Sequence, residues 1–436
     1  MIINIIEFNN IKNSNLIKLI KKNSVLSMLD QCIVSGSNFF MTFFLGRVLS
    51  VNDFGSYSIV NSLYYLLFGI QVALIITPMT LKIQNDDEMN NTINNNLIVS
   101  LFINITMIII MSISLIYYQK EIKNILLLLP ISLFLISNLL QEFFRRVRFS
   151  QLKIIDVLFY DVVYCTTKII SLIIVWFLFK NTLFNFYLVI SITSLVVVIW
   201  NIKMNIRHIN LQTSSIKETF ISNWKYGKWL RGSQVFSWIN TQLFLIVGSI
   251  IGSSIVAASI NATQSILNLT NIFMIALGNI ILAKGNIILK KYGIRKFNRY
   301  IWKMTIVMLS MMVLYTILLI INGDKILDLL YKGKYNDFTK MLMLWSISYI
   351  LTALSRAAII GVQILNLPRY NFYSYLLLAI LSIIFVVPIC KYSNEYGTVY
   401  WSIFSGVIIS ILSIGLYIYG VKMYKGEKNN EYSSCR

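Results

Sequence analysis

A chain of 436 residues, of which 57% are hydrophobic and only 13% are charged, lies outside the range of soluble proteins, where charged residues make up about a quarter. Its mean hydropathy of +0.71 agrees, so we expect an integral membrane protein. The formal net charge of +21 does not indicate nucleic-acid binding, because no soluble basic domain is long enough to hold such a site. We interpret the excess of positive charge as a signal of membrane topology.

The amino-terminal residues 1–23 are predicted to form a cytoplasmic amphipathic leader, because basic residues precede the first apolar run and no small-residue cleavage pattern follows it. The four cysteines and the single histidine, His208, have neither the spacing of a disulfide framework nor that of a metal site. The sequence also lacks a phosphate-binding loop for ATP and a Ser/His/Asp set. We therefore expect no cofactor, no metal and no enzyme activity.

The apolar runs follow one another along the whole chain, and each can cross a bilayer, whose core needs about 20 helical residues. These twelve runs lie near 24–49, 56–81, 97–118, 124–144, 154–179, 183–203, 229–252, 255–283, 300–322, 339–366, 372–390 and 397–421. Turn signals separate many of them, such as Asn52-Asp53 with Gly55 and the polar residues 84–96. The sequence predicts an all-α protein with twelve transmembrane helices.

Basic residues set the predicted orientation, because loops rich in Lys and Arg stay in the cytoplasm. With the amino terminus inside, the predicted inside segments hold 27 of the 38 Lys and Arg residues, and the outside segments hold 9. Both termini are therefore predicted to be cytoplasmic.

The longest polar connection divides six spans from six. The predicted organisation is an N-lobe at 24–203, a cytoplasmic linker at 204–228, a C-lobe at 229–421 and a cytoplasmic tail at 422–436. Both halves enter the membrane from the same side, so the repeat is parallel, and Gly36-Ser37-Asn38 in the first span is echoed by Gly232-Ser233-Gln234 in the seventh. Two parallel six-helix lobes around a central cavity are the expected result.

Large polar side chains recur at helical steps on three of the spans, which places them along one face of each helix. The candidates for lining a cavity are Gln31 and Asn38 on the first span, Arg231 and Gln234 on the seventh, and Asn261, Gln264 and Asn268 on the eighth, whose polar face continues to Asn271. On any single helix such a face can equally serve packing against another helix. Three such faces together favour a hydrated cavity.

Four charged residues lie well inside predicted spans, away from the span ends: Asp30, Asp161, Lys168 and Arg356. Each would cost about 3 kcal/mol at mid-membrane unless it is paired or hydrated. Asp161 and Lys168 share a face, so they are either a structural ion pair or a coupling-ion carboxylate and a substrate-binding cation. Arg356 has no acidic neighbour within its span, so another helix or an anionic cargo must compensate its charge.

A basic cluster, with Arg145 and Arg146 after Glu142, ends the fourth span. It permits two interpretations: an anchor on anionic lipid at the cytoplasmic surface, or a first contact for phosphate, to which the planar guanidinium is suited.

Several of these stretches together resemble the polysaccharide-transport branch of the multidrug/oligosaccharidyl-lipid/polysaccharide (MOP) exporter superfamily, and in particular Wzx-type O-antigen or capsule repeat-unit flippases. The stretches are Asp30-Gln31, Ser35-Gly36-Ser37-Asn38-Phe39, Gly46-Arg47, Asp53-Phe54-Gly55, Gln141-Glu142-Phe143-Phe144-Arg145-Arg146 and Trp224-Lys225-Tyr226-Gly227-Lys228-Trp229. The resemblance covers nearly the whole chain.

The resemblance implies a flippase of the bacterial inner membrane for the biosynthesis of capsule or lipopolysaccharide, with a cationic cavity that opens alternately to the two sides. Its cargo would be an oligosaccharide on undecaprenyl pyrophosphate. Its partners would be membrane lipids, a polysaccharide polymerase and a chain-length regulator. Its coupling ion would be Na+ or H+. Arg356 and Lys168 would then offset the pyrophosphate charge, and Asp30 and Asp161 would be the ion-coupling residues.

Two other functions stay open. A drug/cation antiporter of the same superfamily would favour acidic over basic residues in the cavity. A membrane polysaccharide polymerase would need a sizeable outer loop with catalytic groups, whereas the largest predicted outer connection, about 323–338, is short.

Overall fold

The computed structural model describes residues 14–83, 89–117, 125–151, 153–205, 213–365 and 367–434. Within these ranges the protein is helical and contains no β-strand. Most of the predicted leader, residues 1–13, and also His208 lie outside the described residues.

Twelve α-helices make up the described chain. They are α1 (Ser14–Val48), α2 (Val51–Gln71), α3 (Thr77–Ile83), α4 (Met89–Tyr117), α5 (Leu128–Ser150), α6 (Ile154–Leu178), α7 (Leu183–Asn205), α8 (Thr213–Gly252), α9 (Ser254–Tyr331), α10 (Thr339–Ile364), α11 (Pro368–Ser393) and α12 (Gly397–Ser434). A turn of π-helix, Val72–Ile76, joins α2 to α3, so these two helices form one continuous span.

Helix α9 contains two spans joined at an elbow. Gly293 has φ 76° and ψ 177° inside it, a conformation that side chains with a Cβ rarely adopt. No atom lies within 4 Å of the place where a Cβ would be. Glycine is therefore needed at this position for its backbone conformation rather than for space.

The predicted twelve-span, all-α architecture is confirmed. Eleven helical segments of the described chain are long and apolar enough to cross a membrane. Helix α1 is not among these eleven, but at 35 residues it is long enough to be the twelfth span. Large apolar side chains such as Phe177, Leu314 and Ile321 are exposed, as expected for a surface that faces lipid rather than water.

The helices pack as two groups. In the first, α1 packs against α6, and α7 packs against both α5 and α6. In the second, α10 packs against α9 and α12, and α11 packs against α8 and α12. The exact lobe limits remain a prediction. The polar residues 213–228, which we predicted to be linker, form the first turns of α8.

Glycines allow the two lobes to pack closely at one end of the bundle, and the lobes also meet where α8 packs against α2, α3 and α4. A Cβ on Gly46 would come within 2.7 Å of the Tyr331 ring, and a Cβ on Gly55 would collide with the backbone oxygen of Ser254. Both glycines belong to the stretches that carry the family resemblance, and in the structure both allow close approach of the C-lobe to the turn between α1 and α2.

Hydrogen bonds reinforce this closed end. The Lys334 ammonium donates to the backbone oxygens of Arg47 and Leu49, both at 2.8 Å, where α1 ends and its carbonyls lack partners within the helix. Ser254 Oγ donates to Asn52 Oδ1 at 3.0 Å. Burial, and then the positive charge of Lys332, lowers the pKa of Lys334. The turn after α1 is therefore held by two turns of the C-lobe.

Candidate functional site: a polar cavity between the lobes

A cavity of about 1070 Å³ lies between the two lobes. Helices α1, α2, α8, α9, α10 and α12 form most of its wall, and the ends of α3 and α5 complete it. Eight side-chain amides line it: Asn38, Asn61, Asn240, Gln242, Asn261, Gln264, Asn268 and Asn271. A wall rich in amides in a membrane protein is stable only where it meets water, a cargo or another polar group.

The charge of this cavity is positive. Among the described residues that line it, the charged ones are Arg146 and Arg356, with no carboxylate. Arg146 Nε is 3.8 Å from Glu142 Oε2, and its side chain stays 42% exposed. Arg356 makes no ion pair within the described chain. The cavity therefore presents two guanidinium groups, one from each lobe, to whatever enters it.

Both arginines lie toward the end of the bundle opposite the contacts at Gly46 and Gly55. Arg356 is about two turns before the end of α10 at Ile364, and Arg146 is about one turn before the end of α5 at Ser150. Asn261, in contrast, lies about two turns after the start of α9 at Ser254, close to the closed end. The cavity is thus cationic near its open end and amide-rich farther in.

Hydrogen bonds orient several of these polar side chains. Asn261 Nδ2 donates to Ser58 Oγ at 2.8 Å across the lobe interface. Asn268 Oδ1 accepts from Asn271 Nδ2 at 2.8 Å and from Tyr349 Oη at 2.6 Å. The Asn268 amide nitrogen is left to donate elsewhere, and Asn261 keeps its oxygen as an acceptor. A wall that offers both donors and acceptors suits hydroxyl groups, which need both.

Aromatic rings stand among the amides. Trp238, Trp345, Tyr65 and Tyr349 all line the cavity. The Trp238 indole is held by a 2.8 Å hydrogen bond from Nε1 to the Ser62 backbone oxygen. Such rings give the wall flat apolar faces beside its hydrogen-bonding groups.

A second charged cluster is buried inside the N-lobe, behind the cavity wall. Arg145 Nη2 donates to Asp30 Oδ2 at 2.6 Å, and Arg145 Nε donates to Asp161 Oδ2, also at 2.6 Å. Gln141 Nε2 donates to Asp161 Oδ1 at 3.1 Å, and Gln31 Oε1 is 3.5 Å from Arg145 Nη2. All three charged side chains are no more than 6% exposed, so one guanidinium holds both predicted coupling carboxylates.

Lys168 is not part of that cluster. Its Nζ donates to Asn38 Oδ1 at 3.2 Å and lies 5.7 Å from the centre of the Tyr164 ring. It is buried and lies outside the cavity lining, so it contacts the cavity only through Asn38. The sequence left open whether Asp161 and Lys168 form an ion pair. Within the described chain they do not, because Asp161 binds Arg145 instead.

The basic cluster at the end of α5 is divided between two environments. Arg145 and Arg148 are buried, and Arg148 stacks 3.6 Å from the centre of the Tyr160 ring and donates to Asn201. Only Arg146 faces the cavity. The spacing of these three arginines along α5 explains the division, because residues one apart on a helix point in different directions.

The other predicted site residues have mixed positions. Asn38, Asn261, Gln264 and Asn268 line the cavity. Gln31 is not part of the cavity lining. Its Nε2 donates to Ser35 Oγ at 3.1 Å, one turn farther along α1. The side chains of Arg231 and Gln234 lie outside the described part of α8, so their predicted role is not tested.

Sequence reasoning missed three of the eight amides. Asn61, Asn240 and Gln242 also line the cavity. Asn271, which lines it too, continues the α9 series at a helical step of three from Asn268. Asn61 and Asn240 do not fall three, four or seven residues from another amide of their spans, so periodicity alone does not identify the face on which they lie.

Solved structures share this architecture. The chain is similar to an inward-facing conformation of a multidrug resistance MATE family transporter of the MOP superfamily, at 11% identity and a TM-score of 0.71, over 92% of this chain and 96% of that one. It is also similar to an outward-facing conformation of such a transporter, at 12% identity and a TM-score of 0.62, over 94% and 96%. No protein-family model and no curated protein matches the sequence.

A third similar structure is a MOP superfamily transporter from Pyrococcus furiosus, at 12% identity and a TM-score of 0.62, over 93% of this chain and 96% of that one. Its binding pocket is described as having reverse polarity, which suggests a different function for that protein. At these identities the likeness shows the fold: this multi-pass membrane protein has the two-lobed, twelve-helix fold of MATE transporters.

Proposed function

We propose that the protein is an alternating-access transporter that moves an oligosaccharide linked to undecaprenyl pyrophosphate across the bacterial inner membrane. The observation that carries the proposal is the charge of the cavity: its described lining contains two arginines, eight amides and no carboxylate. A cationic wall with low-dielectric surroundings attracts anions and excludes cations.

The chemistry of the cargo matches the arrangement of the wall. Pyrophosphate would bind Arg356 and Arg146 near the open end, because guanidinium groups donate paired hydrogen bonds to phosphate oxygens. The sugar would extend inward, where its hydroxyl groups meet Asn38, Asn261, Gln264 and Asn268. The polyprenyl chain would stay in the lipid. Lys168 would act from behind the wall by holding the Asn38 side chain.

Alternating access is supported by the asymmetry of the two ends. The glycine contacts between the lobes lie at the end that holds Gly46 and Gly55, and the cavity lies beyond those contacts. The higher TM-score to the inward-facing than to the outward-facing relative, 0.71 against 0.62, supports assigning the open end to the cytoplasm, in line with the orientation predicted from basic residues.

The buried cluster would couple transport to a Na+ or H+ gradient. Protonation of Asp30 or Asp161 removes one of the charge-assisted bonds that hold Arg145, which would change the packing of α1, α5 and α6 beside the cavity. Products of the transporter would pass to a polysaccharide polymerase and a chain-length regulator for O-antigen or capsule assembly.

A drug/cation antiporter is the second candidate, because the fold is also that of multidrug MATE transporters. The cavity charge argues against a cationic cargo, since the charged residues of its described lining are two arginines. A polymerase is less compatible with the turn 332–338, because Lys334 of that turn binds the end of α1.

The test is transport by Arg356→Ala in proteoliposomes loaded with a fluorescent polyprenyl-pyrophosphate oligosaccharide. We expect a loss of at least tenfold in flipping rate, since removing a charged partner of a buried anion costs about 1.5–3 kcal/mol. The control is Arg369→Ala, an exposed arginine at the start of α11 outside the cavity. Normal flipping by Arg356→Ala, or faster transport of a cationic dye than of the lipid by the native protein, would reject the proposal.

A further inference from the structure

The elbow in α9 concentrates exposed positive charge. Six basic residues lie within 290–303, and all of them are exposed: Lys290, Lys291, Arg295, Lys296, Arg299 and Lys303. The segment 284–303 contains no Asp or Glu. None of the six residues makes an ion pair within the described chain, so their charge is available to a partner.

The second arm of the elbow changes character along one face. Arg295, Arg299, Trp302, Lys303 and Ile306 fall at steps of three and four, which places them on the same side of the helix. The face passes from two exposed arginines to Trp302, 37% exposed, and then to Ile306, 63% exposed. A membrane helix that passes from water through the headgroup layer into hydrocarbon shows charged residues first, then tryptophan, then aliphatic residues.

The residues beside Gly293 complete this surface. Lys296 Nζ lies 4.6 Å and Lys291 Nζ 5.6 Å from the centre of the Tyr292 ring, and Tyr292 is itself half exposed. An aromatic ring between two ammonium groups is typical of the membrane interface, where a partly apolar and partly polar side chain is stable. The elbow therefore combines cations with side chains suited to a lipid surface, which a soluble anionic partner would not require.

We propose that the α9 elbow binds the phosphate headgroups of anionic phospholipids, with Arg295, Lys296 and Arg299 as the main contacts. Arg295 and Arg299 are one helical turn apart, about 6 Å, so both guanidinium groups reach one phosphodiester or two neighbouring ones. This surface belongs to the C-lobe and is separate from the cavity. Bound lipid holds the junction of the two α9 spans at the headgroup level of the membrane.

The experiment measures binding of fluorescent phosphatidylglycerol to the full-length protein in mixed micelles of neutral detergent. We expect the variant R295Q/K296Q/R299Q to bind at least tenfold more weakly, because each basic residue near a lipid surface contributes a several-fold change in affinity. The matched control is K325Q/K332Q/K340Q, which removes three exposed charges near the opposite end of the second arm, and its affinity should change less than twofold.

Three results would overturn the proposal: unchanged phosphatidylglycerol binding by the elbow variant, an equal loss in both triple variants, or displacement of the lipid by millimolar inorganic phosphate. Phosphatidylcholine is the lipid control and should bind the native protein and the elbow variant equally. Unfolding temperatures of both variants in lipid-free detergent check folding, and R299Q alone replaces the elbow triple variant if that variant unfolds, with a several-fold loss expected.

Discussion

At the scale of the residue, Arg145 is the charged group with the largest structural role in the N-lobe. It binds Asp30 and Asp161 at 2.6 Å each, and the three side chains come from α5, α1 and α6. A carboxylate left alone in such surroundings would be strongly unfavourable. The arginine therefore connects three helices and gives two buried carboxyl groups a partner away from water.

Replacing this arginine should reduce stability much more than replacing its neighbour. We expect Arg145→Met to lower the free energy of unfolding by about 3–5 kcal/mol, since it leaves two buried carboxylates without their cation. Arg146→Met, at a side chain that is 42% exposed, should change it by less than about 1 kcal/mol. Thermal unfolding in detergent checks both variants, and equal losses would contradict the assigned role.

Asp161 tests whether the same cluster couples transport to an ion gradient. We expect Asp161→Asn to keep an acceptor for Arg145 while losing the charge that a coupling ion neutralises, so that the flipping rate no longer responds to an applied gradient. The measurement is transport in proteoliposomes with and without a proton or sodium gradient. Asn201→Ala, on α7 beside the cluster, removes hydrogen bonds to Gln141 and Arg148 without removing a charge and should keep the response. A gradient response in Asp161→Asn equal to that of the native protein would rule out its coupling role.

The sequence identified which side chains in the spans are unusual, but not their partners. Asp30, Asp161, Lys168 and Arg356 were all recognisable as charges within apolar runs. The cation of the cluster, Arg145, was assigned to a surface anchor or a phosphate contact, because α5 is read from sequence as a span that ends in a basic cluster. Pairing over 115 positions, as between Asp30 and Arg145, depends on the packing of helices and is not encoded in local spacing.

At the scale of the element, the turn between α1 and α2 determines how closely the lobes approach. Local signals were enough to predict this turn, since Asn52, Asp53 and Gly55 interrupt an apolar pattern. The purpose of Gly55 became clear only from the opposite lobe, whose Ser254 backbone occupies the space of a Cβ. The α9 elbow is a comparable case: two runs were predicted on either side of it, but nothing in the pattern indicated that Gly293 alone joins them.

Gly55→Ala should open the closed end. The added Cβ collides with backbone, which cannot move as a flexible side chain can, and overpacking of this kind costs about 1–3 kcal/mol. We expect faster modification of an introduced Asn261→Cys thiol by a charged reagent added on the predicted outer side. Gly415→Ala is the matched control, because nothing lies within 4 Å of its Cβ position. Equal labelling rates in the two backgrounds would contradict the gating role.

At the scale of the whole molecule, the two lobes form a cavity whose chemistry neither lobe has alone. Arg146 and Asn38 belong to the first lobe, and Arg356 and Asn268 belong to the second. The twelve spans and their division followed from hydropathy and a long polar connection. The cavity surface did not, since it depends on which faces the lobes turn toward each other. If the lobes move as units, the contacts at the closed end must break in each transport cycle.

A reversible covalent link across the closed end should therefore stop transport. In a cysteine-free background, Asn52→Cys and Ser254→Cys replace two side chains that are 3.0 Å apart across the lobes. Oxidation should abolish flipping, and a reductant should restore it. Asp324→Cys with Thr339→Cys is the matched control, because these side chains are hydrogen-bonded to each other within the C-lobe and outside the cavity lining, so the link would not join the lobes. Transport should continue in the oxidised control. Flipping by the oxidised inter-lobe pair at the rate of the reduced protein would show that the closed end stays closed throughout the cycle, and alternating access by separation of the lobes at this end would have to be abandoned.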